Sequence, residues 1–260
     1  MSGKKILLIA LDGVILGPNG IDENARAVVE NLQEVGAAVV LYTSRSRAEL
    51  EPIRKHLGIT APFITESGSA IFTPIGHNPF SAPLGEKDGG YFVDQLGSPY
   101  VQARAGLRVI ANVISHPLKG FGDFTVTQLQ RSQKISEEAA HQAKAREFSE
   151  PFMTPKAVDP AMLLEAAEEM GFSVVLRDAE ESRFSELLGV GAGLKPATKA
   201  LLAAYATEYR DEPVRAVGVS DRESEIALLT EAAQEASLDN WQGVVVSAGE
   251  LTAVVDAIAG

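Results

Sequence analysis

Asp12, the pair Thr43-Ser44 and Asp221 each follow a short apolar run, and Lys195 opens a helical stretch ahead of the last of them. At the carboxyl ends of parallel strands, such residues fall where open α/β sheets build ligand sites. A carboxylate, hydroxyls and an ammonium group there suit a small anionic ligand. Each residue also has a plainer use. Asp12-Gly13 suits a strand-end turn. Thr43 and Ser44 suit the N-cap of a following helix. Lys195 suits a solvated helix start, and Asp221 with Glu225 a helix N-terminus, where acids gain from the dipole. Arg146 and Glu147 suit an exposed helix end. Taken singly, both uses stay open. The four histidines (His56, His77, His116 and His141) are scattered and suggest neither a metal site nor a catalytic triad.

The elements that must position these groups follow from hydrophobic spacing. Ile6 to Leu11 is a continuous apolar run, as expected of a strand buried on both faces of a parallel sheet. Asp22 suits the cap of a helix carrying Val28, Val29, Leu32 and Val35, which Gly36 stops. Residues 37–42 form a second strand, Leu50, Ile53 and Leu57 mark a second helix, and residues 63–65 and 70–72 are two short strands. After Phe72 the chain is broken by Pro74, Pro79, Pro83 and Gly89-Gly90, which reads as a linker into a second domain. That domain has strand-like pieces at residues 91–93 and 172–176. Its helices carry Leu107 and Ile110, run from a Ser136 cap to Arg146, and follow Pro160. From about residue 190 the first pattern returns: a helix with Leu201, Leu202 and Tyr205, a strand over 216–219, a helix with Ile226 and Leu229, a strand over 244–246, and a last helix with Leu251, Val254, Val255 and Ile258. The expectation is an α/β protein, with a doubly wound parallel-sheet core over residues 1–85 and 190–260 and an inserted α+β domain over 86–189.

The chain has 260 residues and a formal net charge of -12, and 45% of its residues are hydrophobic. A packed core is feasible at that length. The acidic balance argues against a nucleic-acid partner, which needs clustered cations. It leaves room for an anionic small ligand, because a few local Lys and Arg side chains can outweigh the bulk field. There is no cysteine, so disulfides, thiolate catalysis and Cys-based zinc sites are excluded. The first apolar run is too short for a membrane span and has no cleavage pattern, so a cytoplasmic protein with no membrane partner is expected.

The order of the polar residues resembles the four motifs of haloacid dehalogenase-like phosphatases. Asp12 stands where that family has its acid/base aspartate, Thr43 its phosphate-donating hydroxyl, Lys195 its charge-neutralising lysine, and Asp221 with Glu225 its metal carboxylates. The insertion lies where the family carries its large cap. Gly120 to Thr125 and Ala143 to Phe148 resemble cap segments of mannosyl-3-phosphoglycerate phosphatases. Arg183-Phe184 resembles a later cap piece, with Glu186 where a histidine is usual, and Pro62 to Gly68 resembles a core loop, with Ser67 in place of asparagine. The resemblance implies a Rossmann-like core with a cap, magnesium held by Asp12, Asp221 and Glu225, and a phosphorylated small molecule bound with help from Ser44, Arg146 and Arg183. No protein partner is indicated.

The chain departs from that pattern at Ala10, Val14, Ser220, Ser224 and Glu225. Ala10 occupies the position of the nucleophilic aspartate. Alanine neither attacks phosphorus nor binds a metal, and a covalent route is what divides a difficult displacement into two easier ones. The expectation is a degenerate phosphatase homologue, inactive or weak, that still binds a phosphorylated sugar or sugar acid. The alternatives are an active magnesium-dependent phosphatase on a glycosyl-3-phosphoglycerate and a non-enzymatic interaction scaffold.

Overall fold

The computed structural model describes residues 3–18, 20–177, 183–252 and 254. The chain starts with β1 (Lys4–Ala10), whose Ile6, Leu7, Leu8 and Ile9 are wholly buried. A strand hidden on both faces needs parallel neighbours with helices over them. It has them in β4 (Ala37–Tyr42) on one side and β12 (Val214–Ser220) on the other. A minor hairpin, β2 (Leu16–Gly17) with β3 (Gly20–Ile21), and helix α1 (Ala25–Glu34) lie between β1 and β4. α1 turns Ala25, Val28, Val29 and Leu32 inward. Asn24 takes its N-cap position, and the Asp22 carboxylate accepts from the Asn24 amide at 2.8 Å.

Helix α2 (Arg47–Leu57) starts at Ser46, which forms a reciprocal capping box with Glu49, and ends at Gly58 in the left-handed region. Beyond it, β5 (Phe63–Thr65) pairs parallel to β4 and turns back antiparallel into β6 (Ala70–Pro74). The hairpin of β7 (Glu86–Asp88) and β8 (Tyr91–Gln95) then adds to β6. The sheet order is β13-β12-β1-β4-β5-β6-β8-β7, where β13 is Trp241–Val245. Helices α7 (Leu194–Glu208) and α8 (Glu223–Glu235) pack on one another and lead into and out of β12.

The inserted part has its own sheet and apolar clusters. Its elements are α3 (Tyr100–Val113), α4 (Val126–Gln133), α5 (Glu137–Lys144), β9 (Ser149–Met153), α6 (Pro160–Glu169), β10 (Phe172–Val175) and β11 (Phe184–Gly189). The strands form an antiparallel sheet in the order β10-β11-β9. Leu107, Ile110, Phe152, Leu163 and Leu187 pack in one cluster, and Phe121, Phe124, Leu129 and Ala140 in another. Both are distinct from the large cluster under the main sheet. The architecture is therefore an α/β core with a mostly parallel sheet and an α+β cap.

Two differences from the sequence reading have physical causes. Residues 86–95 belong to the core sheet, although the cap was expected to start at residue 86. All three residues of β7 are exposed and only Val93 of β8 is buried, so these edge strands carry almost no apolar signal. Charge on such an edge discourages pairing with other chains. The helix expected to run to Arg146 stops at Lys144 with Ala145 as C-cap, which leaves Arg146 in the following turn. The last expected helix, through Val255 and Ile258, lies largely outside the described residues. Leu251 and Val254 are both buried.

Candidate functional site

Ala10 ends β1, and the chain turns through Asp12 and Gly13 directly beyond it. Gly13 has φ +82°, a backbone conformation that favours glycine, and a Cβ there would have to displace the Asp221 carboxylate. Thr43 follows β4 and donates through Oγ1 to Asp12 Oδ2 at 2.7 Å. Arg45, two residues on, donates through Nε to Asp12 Oδ1 at 2.8 Å. A second arm of Arg45 reaches Glu49 Oε1 at 3.1 Å, and its amide donates to Thr43 Oγ1 at 3.1 Å. Burial alone would lower the Arg45 pKa. Asp12 and Glu49 outweigh burial, and the net shift is upward, so this guanidinium stays charged.

On the β12 side, Ser220 is buried and donates to Glu225 Oε2 at 2.8 Å. Arg222 approaches Glu225 Oε1 at 3.8 Å and Asp221 Oδ1 at 3.9 Å. The Tyr42 hydroxyl donates to the Val219 carbonyl at 3.1 Å. Burial first, then the nearby Glu225 charge, pushes its pKa well up, so it remains a neutral donor.

These strand ends floor a cavity of about 830 Å³ roofed by the cap. Ala10, Asp12, Thr43, Ser44, Lys195 and Glu225 all face it, as does Arg183 from the cap. Lys195 is directed to α8: its ammonium donates to Glu231 and Glu235, each at 2.8 Å, and its pKa is raised by those bonds. Asp221 lies against Gly13 and is not among the lining residues.

Arg146 is not brought into the cavity. Its side chain is 2% exposed and joins the core to the cap. It donates to the Ser44 carbonyl and to Ser149 Oγ, both at 2.9 Å, and lies 3.6 Å from Glu66 and 3.5 Å from Glu186. Glu66 in turn accepts from the amides of Glu147 and Phe148 and from Ser149 Oγ, at 2.8, 3.1 and 2.7 Å. Glu66, Ser67 and Gly68 all have positive φ, which bends this loop under the cap.

Sequence reasoning passed over Arg45 and Arg177, which also line the cavity, and gave no role to Arg222 and Glu186. A signal for Arg45 was available: a base two residues after Thr43 in a strand-end loop, with an acid at i+4. Among the described residues, the lining carries five cations (Arg45, Arg177, Arg183, Lys195, Arg222) against three carboxylates (Asp12, Glu186, Glu225). Cations thus outnumber carboxylates in the lining of a chain of net charge -12, although Lys195 and Arg45 are also paired with acids outside it.

A magnesium ion requires near-octahedral oxygen ligands at about 2.1 Å, and the donors here do not fit that demand. Both oxygens of Asp12 are engaged by Thr43 and Arg45, one oxygen of Glu225 by Ser220, the Arg222 cation stands 3.8 Å from Glu225 and 3.9 Å from Asp221, and Ala10 offers no ligand. Among the described residues, no three His, Asp or Glu side chains stand close enough to hold a metal ion. No helix among them is long and apolar enough to cross a membrane.

The chain matches the haloacid dehalogenase-like hydrolase family over residues 7–167. The chain belongs to that family. Among curated haloacid dehalogenase-like relatives, it is 31% identical over 227 residues to the glucosyl-3-phosphoglycerate/mannosyl-3-phosphoglycerate phosphatase of Persephonella marina, covering 87% of this chain and 81% of that protein. It is 34% identical over 146 residues to the mannosyl-3-phosphoglycerate phosphatase of Pyrococcus furiosus, covering 56% of this chain and 59% of that one. It is thus a haloacid dehalogenase-like phosphatase homologue of the mannosyl-3-phosphoglycerate phosphatase type. A solved haloacid dehalogenase-superfamily phosphatase from Bacteroides thetaiotaomicron shares the fold with TM-score 0.62 at 14% identity, over 99% of this chain and 95% of that one. A Thermoplasma acidophilum protein does so with TM-score 0.60 at 14% identity, over 99% of both chains.

Proposed function

We propose that this haloacid dehalogenase-like chain binds a phosphorylated sugar or sugar acid in the cavity between core and cap, and releases phosphate from it weakly or not at all. The observation that carries the reading is Ala10. It ends β1 in the wall of the cavity that Asp12 and Thr43 also line, and it is the position to which the family resemblance assigns the attacking carboxylate. Phosphate-monoester hydrolysis is among the slowest reactions known in water, with enzymatic accelerations reaching about 10²¹. Hydrogen-bond donors and fixed charge supply only part of such a gain. Asp12 is committed to Thr43 and Arg45, which disfavours its use as a base toward water.

The excess of cations supports an anionic ligand. Charge on both floor (Arg45, Lys195, Arg222) and roof (Arg177, Arg183) supports one with two anionic ends. The names of the curated relatives point to the glycosyl-3-phosphoglycerates, which carry a phosphate and a carboxylate.

The test is phosphate release from mannosyl- and glucosyl-3-phosphoglycerate with magnesium present, beside calorimetric titration of the same ligands. Background release with measurable binding is expected. Ala10→Asp with Val14→Thr should raise release by about 100-fold, a fraction of the roughly 10⁶ that a nucleophile can carry. Robust release by the unmodified chain rejects the degenerate reading, and absence of binding heat rejects a ligand site.

A further inference from the structure

We propose that Arg45 stands in for the divalent cation of this site, so that a phosphorylated anion binds here without metal. The inference rests on the cavity being a phosphate site, as argued above. Its starting point is the mismatch between the carboxylates and a magnesium ion.

A metal at this sheet edge would serve two ends: it would neutralise the acids under the ligand and present positive charge to a phosphoryl oxygen. Arg45 is built to serve both. Its Nε holds Asp12 Oδ1 at 2.8 Å, and Thr43 fills the other oxygen at 2.7 Å. Glu49 steadies a second arm at 3.1 Å, and Glu49 is itself fixed by the capping box at the start of α2. The guanidinium is held on two sides and still lines the cavity. A guanidinium has five donors in a planar fork that suits phosphate oxygens. Across the floor, Arg222 makes longer charge contacts to Glu225 and Asp221, at 3.8 and 3.9 Å. With Ala10 in place of a carboxylate, one negative charge is gone, and Asp12, Asp221 and Glu225 each have a guanidinium within 4 Å.

The experiment is calorimetry on the full chain with 3-phosphoglycerate as probe, in EDTA and in excess magnesium chloride. Affinity should agree within about twofold between the two conditions. Arg45→Gln should weaken binding in EDTA by about tenfold or more. Melting temperatures show that the variant is folded. If it is not, Arg45→Lys keeps the charge and loses the fork, and weaker binding in EDTA is again expected. Magnesium alone should leave the melting temperature of the unmodified chain unchanged. It should raise that of Ala10→Asp/Arg45→Gln, in which two carboxylates face each other without a guanidinium. Binding that requires magnesium overturns this inference and leaves the ligand site standing. Unchanged affinity in the Arg45 variants, or no magnesium response in the double variant, also overturns it. No heat in either condition removes the ligand site and this inference together.

Discussion

Arg146 Nε stands 3.6 Å from Glu66 Oε2, and neither side chain reaches solvent. At that distance it is a charge contact rather than a hydrogen bond, and the other arms of Arg146 supply the hydrogen bonds, to Ser44 and Ser149. Arg146 belongs to the cap side and Glu66 to the core loop after β5, so the pair closes the seam between the two. Burial works against the Arg146 charge, but Glu66 and Glu186 more than offset it, and the net pKa shift is upward.

Removing one partner of a buried pair strands the other. Arg146→Met should lower unfolding stability by about 3–5 kcal/mol, read from urea denaturation. Arg146→Met/Glu66→Gln should recover part of the loss. An Arg146 that acted only on ligand would leave the denaturation midpoint unmoved and change affinity alone.

Gly68 is a position where a side chain should be poorly tolerated. Its φ is +89°, and a Cβ would overlap the carbonyl of Gly193 at the start of α7. The obstacle is main chain and cannot rotate away. Gly68→Ala should cost about 1–3 kcal/mol, whereas Gly36→Ala, with φ +80° and open space around it, should cost less. Equal melting temperatures for the two variants would refute the close approach.

The Lys195–Glu235 contact predicts a pH dependence. Hydrogen bonds from Lys195 and then Lys199 hold the Glu235 carboxyl at about 2, against an ordinary 4.5. Between those values the unfolded chain binds more protons, so stability rises with pH. The contribution is complete above about 4.5 and gone below about 2. The melting-temperature gap between the unmodified chain and Glu235→Gln should close over that window. Because the contact is exposed, the gap should also shrink with added salt.

Ser46 joins two tasks: it caps α2, and its Oγ donates to the Gln142 carbonyl in the cap at 2.7 Å. Ser46→Ala should cost more than the roughly 1 kcal/mol of an ordinary N-cap, because a cap carbonyl loses its donor as well. A loss at or below that value, measured by denaturant titration, would show the Gln142 contact to be inert.

The core was legible wherever apolar residues were continuous. The expected strands at 37–42 and 63–65 coincide with β4 and β5, and the Ser136 cap with the start of α5. What escaped was carried by main-chain pairing and by long-range charge. β7 and β8 join the core sheet through backbone hydrogen bonds that leave no mark on hydropathy. Arg45 and Arg146 are equally polar in sequence, yet one meets Asp12 at the cavity and the other is sealed under the cap. Position along the chain could not separate them, because each depends on a carboxylate dozens of residues away.

Two of the donors that Glu66 collects are peptide amides, those of Glu147 and Phe148. Every amino acid but proline supplies such a donor. These two bonds to Glu66 are therefore indifferent to the side chains at 147 and 148, whereas a second tie across the joint, from Arg47 to the Glu147 carboxylate at 2.9 and 3.0 Å, depends on Glu147 itself. Proline at either place would remove one of the two amide donors to Glu66.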